Sequence, residues 1–277
     1  MVIPMQLFTF ACTVASARAL GVAQGWDAEG HVDDDAWLHV LGTIGLVVFG
    51  VLYLALVVRA MTREPRYRAA ESLGEADRER VHAAIRAVEE RTVGEVLPVV
   101  VERSDRHPGA SWLAAFLFAV LGSLLLAEWM PWDHHLLLLL VQAVLGGVGF
   151  GTTLLFRDFL RLFVSEKRAT EMAEEQATQE FFRHELQTTE GRTGVLLFVS
   201  LLERRVIVLA DEGIHAKVDA EVWQRADEAV LRGIVQGSLT DGLVAGIEEV
   251  GTVLAEHFPW TEGDRNELPD RLIVRAE

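Results

Sequence analysis

Thr193-Gly194-Val195-Leu196-Leu197-Phe198-Val199-Ser200, then Leu201-Leu202-Glu203, then Arg204-Arg205-Val206-Ile207-Val208-Leu209-Ala210-Asp211 is the stretch that decides the fold. Two short aliphatic runs separated by three residues predict a β-hairpin, with strands over 193–200 and 204–210. Neither run alternates with polar residues, so both strands are expected to be buried on both faces at the centre of a sheet.

Upstream, Glu95-Val96-Leu97-Pro98-Val99-Val100-Val101-Glu102 is a third run of this kind. It is preceded over 72–91 by Leu73, Ala76, Val81, Ala84, Ile85 and Val88 at near-helical spacing. One helix and one strand bury too little surface to stand alone, so strand 95–102 is expected to join the later hairpin. Downstream, 219–235 and 241–258 read as helices, capped by Asp219 and by Thr240 or Asp241, with Pro259 ending the second. The fold class is therefore α/β, a small sheet with helices on both sides. The acidic tail 261–277 lacks periodicity and is read as loose.

Three apolar stretches, 37–58, 111–127 and 136–156, approach the roughly 20 residues a helix needs to cross a bilayer. The second and third, joined by Glu128-Trp129-Met130-Pro131-Trp132-Asp133-His134-His135, read as a transmembrane hairpin over 111–156. That hairpin interrupts the α/β domain, leaving a first part at 72–102 and a second at 157–260. Residues 158–187 read as one long charged helix continuing the third span. Gly147 and Gly151, four apart, are expected to bring span helices close together. The first 36 residues hold an apolar run, 2–23, that suits either a signal peptide or an extra span, and then a short external segment.

Arg59, Arg63, Arg66 and Arg68 follow the first span, whereas Asp27, Glu29, Asp33, Asp34 and Asp35 precede it. Arg103 and Arg106 precede the hairpin, and Arg157, Arg161, Lys167 and Arg168 follow it. Basic residues stay in cytoplasmic flanks. The expected protein is therefore multi-pass in the cell inner membrane, with its α/β domain in the cytoplasm.

Composition agrees: of 277 residues 51% are hydrophobic, and mean hydropathy is positive. A net charge of −16 argues against nucleic acid, whose phosphates need Lys and Arg. The expected partners are the lipid bilayer and a membrane protein. Cys12, the single cysteine, excludes an internal disulfide, a thiolate zinc cage and an iron–sulfur cluster.

The segments Thr92-Val93-Gly94-Glu95-Val96-Leu97-Pro98-Val99-Val100, Arg192 to Ser200 and Glu203 to Asp211, together with Ile234-Val235-Gln236-Gly237 and Asp241-Gly242-Leu243-Val244-Ala245-Gly246-Ile247, resemble the TPM domain family across roughly 72–260. The resemblance implies a three-layer α/β/α fold, found in bacterial membrane proteins and in thylakoid-lumen proteins connected with photosystem repair. It also implies acid phosphatase activity or calcium binding at acidic loops in some members. This chain departs from the pattern at Ala210-Asp211-Glu212-Gly213-Ile214, where a glycine-rich turn is usual, and in its inserted membrane hairpin.

Asp211 and Glu212 are the leading site candidates, because a buried strand that ends in adjacent carboxylates delivers them to the strand-end crevice where open α/β sheets bind ligands. Glu95 from the neighbouring strand and Asp241 from the last helix would add oxygen ligands for Ca2+ or Mg2+. Turn and cap chemistry also explains Asp211, Glu212 and Asp241. Arg204 and Arg205 beside Glu203 fit a turn salt bridge or an anion site. Asp264, Asn266, Glu267 and Asp270 imitate part of a calcium loop without its central glycine. No nucleophile and base stand at an informative spacing. Two functions are therefore expected: a membrane-anchored interaction or maintenance module for a membrane complex, or a divalent-metal-dependent phosphomonoesterase.

Overall fold

The apolar runs do form strands. The computed structural model describes residues 73–126, 135–218, 220–236, 238–262, 265–269 and 271–275, plus the helical residues 44, 45, 47, 48, 50–55 and 58 of the first apolar stretch. The run 2–23, Asp219, Trp129, Trp132, Asp264 and Asp270 lie outside them. In chain order the elements are α1 (Glu75–Glu89), β1 (Glu95–Val101), α2 (Pro108–Leu125), α3 (His135–Leu155), α4 (Arg157–Arg161), α5 (Glu166–Arg183), β2 (Gly194–Ser200), β3 (Arg205–Ala210), α6 (Glu212–His215), α7 (Gln224–Gln236), α8 (Leu239–His257) and β4 (Ile273–Arg275). Two compact units result, 1–62 with 107–163, and 63–106 with 164–277.

The second unit is mixed α/β around a four-stranded mixed sheet of order β3-β2-β1-β4. β1 runs parallel to β2, with Glu95 opposite Gly194 and Val101 opposite Ser200, while β3 returns antiparallel. β2 is buried throughout, but β3 lies at the edge and is half-buried at four of its six positions. The expectation that both hairpin strands are central is thus corrected. An uninterrupted aliphatic run reports helices on both faces and says nothing about which strand lies alongside.

The tail also departs from expectation, since Ile273–Arg275 pairs in parallel with Val99–Val101 of β1. A three-residue strand is too short to display periodicity. Pro98 fits this arrangement. The Glu95 N–H donates to Thr193 O on the β2 side, so Val96 and Pro98 face the other way. There the Val96 N–H meets the Glu89 carboxylate at 3.2 Å, and β4 pairs only from Val99 onward. The missing proline N–H therefore falls where no ladder bond is required.

On one face Leu97, Val99, Val101, Leu196 and Phe198 pack with Ala173, Ala177 and Phe181 of α5. On the other, Gly94 and Leu197 lie against Leu254 and Gly246 of α8. α8 is capped by Ser238, whose hydroxyl accepts from the Asp241 N–H at 3.1 Å. The expected caps, Thr240 and Asp241, sit inside the first turn, with Asp241 at the acidic position that completes the cap signal.

The expected single helix over 158–187 is interrupted. Phe156 is extended and ends α3, and Ser165 begins α5 afresh by accepting from the Arg168 N–H. A serine hydroxyl that satisfies a first-turn N–H favours a new helix start over continuation.

In the first unit α2 and α3, of 18 and 21 residues, are long and apolar enough to cross a membrane. They meet through Gly146 and Gly149. A Cβ at Gly149 would lie 2.8 Å from Ala114 O, whereas Gly147 and Gly151 have nothing within 4 Å. The glycines expected to make the contact are therefore on the wrong face. Four-residue spacing names a face but not which one, and here the small residues of α2 choose it. Tyr53 bonds to Thr152 Oγ1 at 2.7 Å, and Thr153 Oγ1 lies 2.9 Å from Ser111 Oγ. Gly149→Leu is expected to destabilise the purified chain in detergent by roughly 2 kcal/mol, and Gly147→Leu by under about 0.5. Equal thermal midpoints for the two variants would refute this packing.

Candidate functional site

Because β3 is antiparallel to β2, its last residue lies at the end of the sheet where β1 and β2 begin. Ala210 faces Val195, and the Asp211 N–H donates to Gly194 O at 2.9 Å. Asp211 and Glu212 are thus at the amino ends of the parallel strands, not in the carboxyl-end crevice expected for them. Asp211 is buried and caps α6, its Oδ1 accepting from the Glu212 N–H at 2.7 Å. Arg192 spans both carboxylates, with Nε 3.2 Å from Asp211 Oδ2 and Nη1 3.3 Å from Glu212 Oε2. Its backbone is left-handed at φ 56, and Gly213 lets this loop approach closely. A guanidinium thus occupies the place where a divalent ion would sit.

Glu95, also buried, receives the Glu267 N–H at 2.9 Å and the Leu268 N–H at 3.3 Å, which docks the tail. The Glu267 carboxylate in turn accepts from the Glu190 N–H, so it is a tether and not part of a calcium loop. Asp241 is remote from these three. The far end of α8 bonds to Val93 and Thr92 just before β1, and its 19 residues rise about 28 Å. At the opposite, amino end Asp241 pairs with Arg80 at 2.6 Å, and hydrogen bonds from Ser238 and Arg80 hold its carboxyl below the ordinary range. Among the described residues no group of three or more His, Cys, Asp or Glu is placed to hold a metal. The residues around Asp211 fit an internal cation better than Ca2+ or Mg2+.

The carboxyl ends of β1 and β2 carry a cluster of which the sequence singled out Glu203 with Arg204 and Arg205, but not Ser104 or Ser200. Glu203 is 1% exposed. Both its oxygens lie 3.1 Å from the Ser104 nitrogen, and it accepts from the buried Ser200 hydroxyl, which is 3.0 Å from Ser104 Oγ. Glu203 therefore points inward, toward Ser104 and Ser200. Arg204 takes a left-handed conformation at φ 53, and Arg205 reaches α5 to bond Thr170 at 2.9 Å and Glu166. The available signal was Ser200-x-x-Glu203 around a tight turn. An acid that the sequence did not single out, Glu180, is also 1% exposed. It binds Arg183 at 2.8 Å, with Arg275 and His184 each at 3.2 Å, and so ties β4 to α5. Burial holds His184 below its ordinary range despite that carboxylate.

On α7 Asp227 has a buried oxygen without a partner, and burial pushes its pKa up to about 6. The folded state therefore holds a proton that the unfolded chain releases between about pH 4 and 6. This contribution is fully present below the ordinary aspartate pKa and is lost as pH rises through about 6. Asp227→Asn is expected to exceed wild type by about 1 kcal/mol at pH 8, discounted for the solvent that reaches this side chain. The difference should vanish near pH 4 in thermal unfolding. A constant difference across that range would exclude Asp227 as its source.

Among solved structures, the NMR structure of BA42 protein from the psychrophilic bacterium Bizionia argentinensis is similar at 19% identity. The match covers 73% of this chain and 94% of that one, with a TM-score of 0.47. No protein-family model and no curated protein matches the chain.

Proposed function

We propose that this chain is a membrane-anchored, TPM-like module that binds or helps maintain another membrane complex, resident in the inner membrane with its α/β domain in the cytoplasm. The observation that carries this reading is the splice. The apolar pair α2–α3 lies in the chain between β1 and α5, while β1 pairs directly with β2 beyond it. The sheet is therefore joined to the apolar hairpin at two points in the chain, an attachment suited to holding a surface beside other membrane proteins. The basic flanks support the orientation. The inward-bonded state of Asp211, Glu95 and Glu203 favours recognition by surface over turnover in a polar pocket.

The test is to crosslink native membranes lightly, purify the full-length chain in mild detergent, and assay phosphomonoester hydrolysis with calcium, magnesium or chelator. An integral membrane protein is expected at a fixed ratio to the chain, without turnover. Metal-dependent turnover that disappears in Asp211→Asn would replace this reading with the phosphomonoesterase.

A further inference from the structure

Strand β3 has a side that the fold leaves unmet. With Asp211 donating to Gly194 O, the pairs that exchange bonds with β2 are Leu196 with Leu209, Phe198 with Ile207 and Ser200 with Arg205. The N–H and C=O groups of Val206, Val208 and Ala210 consequently point away from the sheet. Among the described residues none bonds to them. Helices α5 and α7 contact this strand, yet Ile207, Val208 and Leu209 remain half-buried, so the exposure is at the edge itself.

Soluble sheets usually blunt such an edge with Lys, Pro or a bulge. Val206-Ile207-Val208-Leu209-Ala210 has none of these and is the kind of segment that strand addition favours. Its charges lie only at the ends, Arg204 and Arg205 at the start and Asp211 and Glu212 at the finish.

We propose that β3 pairs edge to edge with β3 of a second copy of this chain, antiparallel and centred on Val208. In that register Val208 faces its own equivalent and Val206 faces the equivalent of Ala210, each pair exchanging both backbone bonds. Arg204 comes opposite the equivalent of Glu212, both of them exposed. The arrangement is its own complement, as a two-fold interface must be, and opposite charges meet at both ends. Parallel pairing would set arginine against arginine. This surface serves the assembly of the chain with itself and does not depend on the partner complex proposed above.

The test uses the full-length chain in detergent micelles. Light scattering corrected for bound detergent is expected to give the mass of two chains. Val208→Pro removes an outward N–H without touching the β2–β3 ladder, so it should give one chain with an unchanged thermal midpoint. In wild type the amides of Val206, Val208 and Ala210 should exchange hydrogen roughly tenfold more slowly at concentrations where the dimer forms. That measurement decides the matter if the proline variant fails to fold. A monomeric wild type, a dimer that survives Val208→Pro, or exchange at these amides that ignores concentration would each overturn the proposal.

Discussion

Gly213→Ala is expected to cost at least about 3 kcal/mol, among the largest losses that one added methyl can cause. The new Cβ would lie 2.2 Å from Gly191 O and 2.7 Å from Arg192 O. Both obstacles are backbone, so no side chain can rotate aside, and relief requires moving the left-handed loop or the turn after β3. Either movement separates Arg192 from Asp211 and Glu212. Gly109→Ala, with nothing within 4 Å, serves as the control and should shift stability by under about 0.5 kcal/mol. The comparison is read from thermal unfolding of the full chain in detergent. A wild-type midpoint for Gly213→Ala would show that the approach of the two loops is not required by the fold.

Glu203→Ala is expected to cost about 3 kcal/mol. Hydrogen bonds to a charged acceptor contribute about 1.5–3 kcal/mol, and donors left unsatisfied when buried add a further penalty. The groups stranded would be the Ser104 N–H and the Ser200 hydroxyl. Glu203→Gln keeps an acceptor in place and should lose less than half as much. Equal losses in the two variants would mean that the negative charge matters, not the acceptor geometry.

Much of the fold was legible. The β1, β2 and β3 runs appear within a residue of their expected limits, and Val81, Ile85 and Val88 do form the buried face of α1. Those signals are local, since an aliphatic run or a helical period needs only its own residues to be seen. What could not be read depends on partners distant in the chain. β4 exists because Glu95 captures two tail amides 172 and 173 residues away, and nothing local to Ile273–Arg275 announces it. The edge position of β3, and hence the side on which Asp211 emerges, depends on β1 pairing parallel to β2. The site was half legible for the same reason. Asp211 was recognised as chemically distinctive and as a turn residue, but its cation is Arg192, placed by a left-handed loop that arginine seldom adopts. Glu203 is legible as the acid beside Arg204 and Arg205, but its bonds to Ser104 come from a residue 99 positions away, which no local pattern announces.

The splice of α2–α3 between adjacent strands also sets a timetable. β1 ends at Val101 and β2 begins at Gly194, so its neighbour emerges roughly ninety residues later. At about 5–20 residues per second, that is a wait of roughly 5–20 s. During that interval an apolar strand waits for its neighbour, joined in the chain to an apolar hairpin. If that hairpin enters a bilayer as proposed above, it is free to do so before β2 exists to close the sheet, and a ribosome paused within α3 would hold the first strand unpaired. Delivery to the membrane would then precede folding of the α/β domain.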